Sequence, residues 1–267
     1  MDAFECWLNE WSLTADGSPI RTASSDLLPV VRDGIPAMLK IARTEEELRG
    51  VSVMVWYNGD GAVRVLETKG PALLLERARG DRSLAQMARS GRDEEATRIL
   101  CAAVRTLHAP KDRAAPQDLV PLARWFRALQ SSDVPAVARS KAVARELLTE
   151  MRDIMPLHGD IHHDNVLHDG QRGWLAIDPK GLLGERTFDY TNIFCNPDRD
   201  SATDPLLFAR RVTQVSQAAD VDRFRLLKWV LAYAGLSAVW CMEDGDGDSV
   251  DLRLAIVERA SRELGWV

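Results

Sequence analysis

A chain of 267 residues with 46% apolar and 28% charged side chains holds enough hydrophobic material for one large domain or two lobes, which excludes a disordered or fibrous protein. The net charge of -6, with no run of Lys or Arg, argues against a nucleic-acid partner. The mild acidity is compatible with a cationic ligand without selecting one.

Cys6, Cys101, Cys195 and Cys241 are far apart and form no C-x-x-C pair, which predicts buried free thiols in a reducing cytoplasm. No basic-then-apolar segment opens the chain at MDAFECWLNEW, so no signal peptide is expected. The longest nearly apolar run, Trp229 to Met242, is too short to span a bilayer and predicts a core helix. Neither a membrane nor an obligate protein partner is expected.

In chain order, the first third reads as strands. Trp7 to Leu13, Leu27 to Val31 and Ala37 to Ala42 are apolar-rich runs, the first two followed by Asp16-Gly17 and Asp33-Gly34. Thr22 to Asp26, TASSD, stands where kinases place the loop that covers the ATP phosphates, so Ser24 and Ser25 are candidate phosphate contacts. No G-x-x-x-x-G-K-[ST] occurs, which excludes a P-loop kinase. Lys40, flanked by apolar residues in its strand, is the candidate ligand of the α- and β-phosphates, because strand lysine, helix, hinge and catalytic loop follow in kinase order.

Thr44 to Glu47 matches a capping box and opens a helix through about Tyr57. Glu47 is either the helix glutamate that orients Lys40 or only a capping residue; it lies just seven positions beyond Lys40. Asn58 to Gly61 is a turn, and Ala62 to Glu67 with Ala72 to Glu76 reads as a hairpin. Leu73 to Ala78 resembles an interlobe hinge, with the Glu76 carbonyl and the Ala78 amide expected to read adenine. From Ser83 the spacing turns helical: 83–90, 93–108, 119–129 and 136–151, then 205–219, 222–242 and 250–264.

Between these helices, Leu157 to Pro179 reads LHGDIHHDNVLHDGQRGWLAIDP. Asp160 is followed five residues later by Asn165, and thirteen after that by Asp178. Phosphoryl transfer needs a carboxylate to orient the attacking hydroxyl and take its proton, plus an amide oxygen and a second carboxylate to hold magnesium. H-R-D-x-x-x-x-N followed by D-F-G has these spacings, with His158-Gly159-Asp160 in place of H-R-D. The apolar runs Val166-Leu167 and Trp174 to Ile177 predict a hairpin with one metal ligand at each end. Asp160 is the candidate base; Asn165 and Asp178 are the candidate magnesium ligands.

HGDIHHDN and WLAIDP resemble the catalytic loop and metal strand of the aminoglycoside phosphotransferases, the antibiotic-kinase branch of the protein-kinase-like fold. Gly181 to Asp198, GLLGERTFDYTNIFCNPD, and more weakly PAMLKIAR and GLSAVW, extend the resemblance toward the streptomycin 6-phosphotransferases. The resemblance implies an α+β, two-lobed protein-kinase-like fold. Residues 1–78 would form a small antiparallel sheet lobe with one helix, and 79–267 a larger, mainly helical lobe. It implies ATP and Mg2+ as cofactors and a cationic aminoglycoside as acceptor, streptomycin at the 6-hydroxyl of its streptidine ring.

Streptomycin carries two guanidinium groups, which pair best with carboxylates. Glu185, Asp189, Glu243 and Asp244 are the candidates, with Trp240 as a stacking face. Asp189 has a rival reading, since in the resembled family the aspartate after this loop often anchors the catalytic segment; Trp240 is equally readable as core. Asp244, Asp246 and Asp248 imitate a calcium loop but lack its glycine and final glutamate. His162, His163 and His168 raise the question of zinc, without H-E-x-x-H or a metallo-hydrolase spacing. Two other readings are a kinase of another small hydroxylated metabolite, such as a sugar or choline-like alcohol, and a catalytically silent nucleotide-binding regulator.

Overall fold

The structure is a computed structural model that describes residues 3–266. It begins with a helix, α1 (Glu5–Glu10), where a strand over Trp7 to Leu13 is expected from the sequence. Phe4, Trp7, Leu8 and Trp11 recur at intervals of three and four, the spacing of one helical face. Trp7 and Trp11 stack with ring centroids 5.1 Å apart. This patch covers the outer face of the sheet, where Phe4 and Trp11 join Leu28, Val30, Leu39 and Leu74 in one cluster.

The strands are β1 (Thr14–Ala15), β2 (Ile20–Arg21), β3 (Ser25–Arg32), β4 (Ile35–Ala42), β5 (Val65–Lys69) and β6 (Ala72–Glu76). They form one six-stranded antiparallel sheet in the order β1-β3-β4-β6-β5, with β2 also on β3. Alternation along β4 sends Ala37, Leu39 and Ile41 into the outer cluster. Lys40 therefore points to the opposite face, opposite Leu73 of β6. Helix α2 (Glu45–Tyr57) follows immediately, with the Thr44 side chain accepting the Glu47 amide and Asn58 closing it in the left-handed conformation.

Beyond the hinge come α3 (Leu84–Met87), a kinked turn at Gly91, and α4 (Asp93–Leu107). The single helix expected over 119–129 is instead β7 (Val120–Pro121), α5 (Leu122–Trp125) and α6 (Arg127–Ser131). Pro121 lacks an amide donor, so it ends the strand pairing and starts the first of the two short helices. After α7 (Ala138–Thr149), β8 (Ile154–Leu157) and β11 (Leu182–Glu185) join β7 in a three-stranded sheet, while β9 (Val166–Asp169) and β10 (Gly173–Ala176) form the hairpin. A 3-10 segment (Arg186–Cys195) leads to α8 (Arg199–Thr203), α9 (Pro205–Ala219), α10 (Arg223–Asp244) and α11 (Gly247–Glu263). Asp204 and Asp222 cap α9 and α10. Helix α10 is apolar on all sides because it is the core helix, buried from Leu226 to Val239 against α7, α11 and the 3-10 segment.

The sheet lobe and the helical lobe meet on the hairpin. Val63 donates to the Ala176 carbonyl at 3.1 Å and Ala176 to that of Gly61 at 2.9 Å. The Arg172 guanidinium reaches the Glu76 carboxylate and the carbonyl of Gly59. The inner apolar core runs continuously from Val53, Met54, Leu73 and Leu75 into the helices.

Candidate active site

The catalytic segment is shaped by backbone demands before any chemistry. Gly159 has φ +85°, and a Cβ there would come within 2.7 Å of Leu182, so glycine stands where a protein kinase has arginine. His158 is fully buried, and its Nε2 donates to the Ile177 carbonyl at 2.8 Å. Since a carbonyl only accepts, the proton is on Nε2, and Nδ1 takes the Asp160 amide at 3.3 Å. The imidazole thereby ties the Asp160 loop to the segment that runs from β10 to Asp178.

Asp160 is surrounded by donors. Asn192 Nδ2 donates to Oδ1 at 2.7 Å, and Asn165 Nδ2 to Oδ2 at 3.2 Å and to the Asp160 carbonyl at 2.9 Å. Lys180 Nζ lies 3.8 Å from Oδ2. The bond to a carbonyl identifies Nδ2 of Asn165, which leaves its Oδ1 to face a cation. The Asn165 carbonyl accepts the Ile177 amide at 3.0 Å, so Asn165 and Asp178 stand at the paired ends of the β9–β10 hairpin. Asp178 adopts φ +59°, a left-handed conformation that aspartate tolerates. Its Oδ1 accepts from Lys40 Nζ at 2.7 Å.

Lys40 also bonds the Glu47 carboxylate, and both side chains are about 6% exposed. The seven-residue separation suffices because α2 starts directly after β4. Burial pushes the Glu47 carboxyl up, but Lys40, Lys180 and the Ser24 hydroxyl outweigh it and hold it below the ordinary value. Ser24 Oγ donates to Glu47 at 2.8 Å, which ties the β2–β3 turn to α2. Ser25 departs from its expected phosphate contact: it is 2% exposed, with its amide on Thr22 Oγ1 at 3.0 Å and its hydroxyl 3.3 Å from the same atom. The Glu76 side chain belongs to the Arg172 clamp, and Ala78 packs against the core.

Helix α2 touches the Asp178–Pro179 segment without a side chain between them. A Cβ on Gly50 would overlap the Pro179 carbonyl oxygen. Gly50→Ala is expected to cost about 1–3 kcal/mol by overpacking and to raise KM for nucleotide by moving Glu47 relative to Asp178. Unchanged melting and unchanged KM would contradict this packing.

Two substrate candidates lie elsewhere. Glu185 is 1% exposed and holds the Arg225 guanidinium at 2.7 and 2.5 Å, with the Arg152 amide at 3.1 Å. Asp189 is 1% exposed and accepts the amides of His158 and Gly159 at 3.0 and 2.6 Å, as well as His108 Nε2 at 2.8 Å. A cationic ligand would have to displace these partners to reach either carboxylate. Trp240, Glu243 and Asp244, by contrast, line a cleft of about 580 Å³ together with Asp160, Lys180 and Trp125. Trp125 and Trp240 meet edge to face with centroids 5.3 Å apart.

Sequence reasoning missed Lys180, Asn192, Trp125 and Arg172. Lys180 falls between the two conspicuous segments, 157–179 and 181–198; Arg172 lies within the first and Asn192 within the second, but neither they nor Trp125 carry a local signal of their role. The three histidines that raised zinc have unlike surroundings. His163 is 2% exposed, and His168 stacks on Trp174 at 5.0 Å.

Burial lowers the His158 imidazole below its ordinary 6.5, and burial with Arg211 nearby pushes His163 down to about 3. The unfolded chain then binds protons that the folded chain refuses. The stabilisation from both groups is complete above pH 6.5 and is lost as pH falls toward the folded values. Stability should decline from pH 6.5 downward by up to about 1.4 kcal/mol per pH unit for each histidine. Thermal melts across pH 7.5 to 5 test this, and His163→Leu should flatten part of the slope; a level profile in the wild type would contradict it.

A family model described as aminoglycoside/hydroxyurea antibiotic resistance kinase matches residues 10–245. The chain belongs to this family. The kinase is 47% identical over 245 residues to the streptomycin 3''-kinase of Klebsiella pneumoniae, covering 89% of this chain and 92% of that one. It is 30% identical to the streptomycin 6-kinase of Streptomyces griseus, over 96% of this chain and 87% of the other. Among solved structures, a thermostable mutant of aminoglycoside phosphotransferase APH(4)-Ia in complex with AMP-PNP and hygromycin B superposes with TM-score 0.71. That match has 13% identity and covers 98% of each chain, so the two share the fold. The two-lobed protein-kinase-like architecture expected from the sequence is the one observed.

Proposed function

We propose that this kinase transfers the γ-phosphate of ATP to streptomycin, at the 3''-hydroxyl, and so confers resistance. The observation that carries the reading is the position of Asp160, bonded to Asn165 on one side and lining the acceptor cleft on the other. The 6-hydroxyl expected from the sequence resemblance is the alternative. The 47% relative favours 3'' over the position named for the 30% relative.

Asp160 orients the acceptor hydroxyl and takes its proton late, because a loose transition state demands aim more than basicity. Asn192 and Asn165 fix both of its oxygens. Lys40, oriented by Glu47, holds the α- and β-phosphates, and the backbone at Glu76 and Ala78 receives adenine. The hard oxygen donors Asn165 Oδ1 and the Asp178 carboxylate fit magnesium and would hold it. Held by these residues, the ion would supply neutralisation of the negative charge on the transferred phosphate. In the cleft, Glu243 and Asp244 pair with guanidinium groups, and the edge-to-face Trp125 and Trp240 supply aromatic surface.

The test is incubation of purified protein with ATP, magnesium and a panel of streptomycin, hygromycin B, hydroxyurea, choline and simple sugars, with the phosphate mapped by NMR. Streptomycin phosphorylated at 3'' is the expected product. Phosphate at the 6-hydroxyl would overturn the position, and transfer only to another acceptor would overturn the substrate.

A further inference from the structure

Like Lys40, which pairs Glu47 with Asp178, Lys180 bridges carboxylates of both lobes, and it does so at Asp160. Its Nζ lies 3.0 Å from Glu46 Oε1 and 3.8 Å from Glu47 Oε1, both on α2, and 3.8 Å from Asp160 Oδ2 on the catalytic loop. Its backbone is pinned as well, since the Lys180 amide donates to the His158 carbonyl at 2.6 Å. The stem is therefore anchored two residues from Asp160, and the ammonium group has little freedom to leave the carboxylates.

A surface ion pair of this length would contribute little, because solvent screens it and the side chain gives up its entropy. Lys180 is not in that situation. Its side chain is 19% exposed and that of Glu47 only 6%, and it lines the cleft that holds Asp160. Its ammonium group stands between the helix that orients Lys40 and the proposed base.

We propose that Lys180 is a positioning residue of the transfer reaction, locking the Asp160 carboxylate to helix α2 so that the aim of the base is set by the same helix that aims Lys40. This rests on the reading of Asp160 as the base. It assigns a function to the lysine of the Asp178-Pro179-Lys180 sequence. Without the ammonium, Asn165 and Asn192 still bond Asp160, but the loop loses its link to α2 through Glu46 and Glu47. Nucleotide binding through Lys40 then persists while the acceptor hydroxyl is misaimed.

The experiment compares Lys180→Met, Lys180→Arg, Glu46→Gln and the Lys180→Met/Glu46→Gln double variant with wild type. Lys180→Met should lower kcat by roughly 10²-fold, the cost of an ångström-scale misplacement, with KM for ATP within about threefold. Lys180→Arg should recover most of the loss. Glu46→Gln, on an exposed residue that does not threaten folding, should lower kcat several-fold. The double variant should be no worse than Lys180→Met alone, because the two residues act as one link.

Independent, multiplying effects of the two substitutions would overturn the proposal. So would a loss confined to KM for ATP, or a kcat for Lys180→Met within about threefold of wild type. Wild-type turnover of the acceptor panel tests the acceptor reading separately. Slow ATP hydrolysis without acceptor is measured on every variant, so a wrong acceptor leaves the lysine comparison intact.

Discussion

Asp160→Ala is expected to lower turnover by roughly 10²–10⁴-fold, the range for loss of a positioned proton acceptor, while the protein stays folded. The side chain is 21% exposed and lines the cleft beside Lys180, where water can replace the carboxylate, while Asn165 and Asn192 are largely buried. Removing the carboxylate should therefore cost about 1–3 kcal/mol, less than the stability of the fold. KM for ATP should hardly change, because Lys40 is held by Glu47 and Asp178, and Asp160 bonds none of the three directly. Asp160→Asn keeps the shape but cannot take a proton, and should be as inactive. Steady-state kinetics with a thermal melt decide the matter; near-normal kcat in either variant would remove Asp160 from the chemistry.

Asp189→Ala should instead destabilise the fold. Its carboxylate is the acceptor for two buried amides, those of His158 and Gly159, and for the His108 ring. Leaving each buried amide unsatisfied costs about 1–3 kcal/mol, so a loss on the order of 4 kcal/mol is expected. For a chain of this size that lowers Tm by on the order of 10 °C. Asp189→Asn keeps one acceptor oxygen and should recover part of the loss. A contact with the antibiotic would show the reverse pattern, an unchanged melt and a raised KM for streptomycin. Calorimetry and kinetics on the same preparations separate the two.

The residues that bond in sequence-local frames were legible before the coordinates. Thr44 caps α2, helices open near positions 205 and 222, and Asn165 and Asp178 close a hairpin, because capping, periodicity and turn chemistry act over a few positions. The outer cluster was not legible in the same way. Trp7 to Leu13 is apolar enough for either period, and the decision for a helix came from the sheet face it covers. The same limit explains Glu185 and Asp189. Whether a carboxylate meets solvent or Arg225, or two amides near its own loop, depends on contacts 30 to 40 residues away in sequence. Asn192 was hidden for that reason too, since its bond to Asp160 spans 32 positions.

The bare approach of Gly50 to the Pro179 carbonyl restricts how the two halves of the enzyme move. Any shear of α2 along its axis would drive the side chains one turn away on the same face, Glu47 or Met54, toward that oxygen, so the halves can rock about this seam but not slide across it. A compound meant to disarm the enzyme would do better as a wedge that props the mouth ajar than as a lever that shifts the helix sideways.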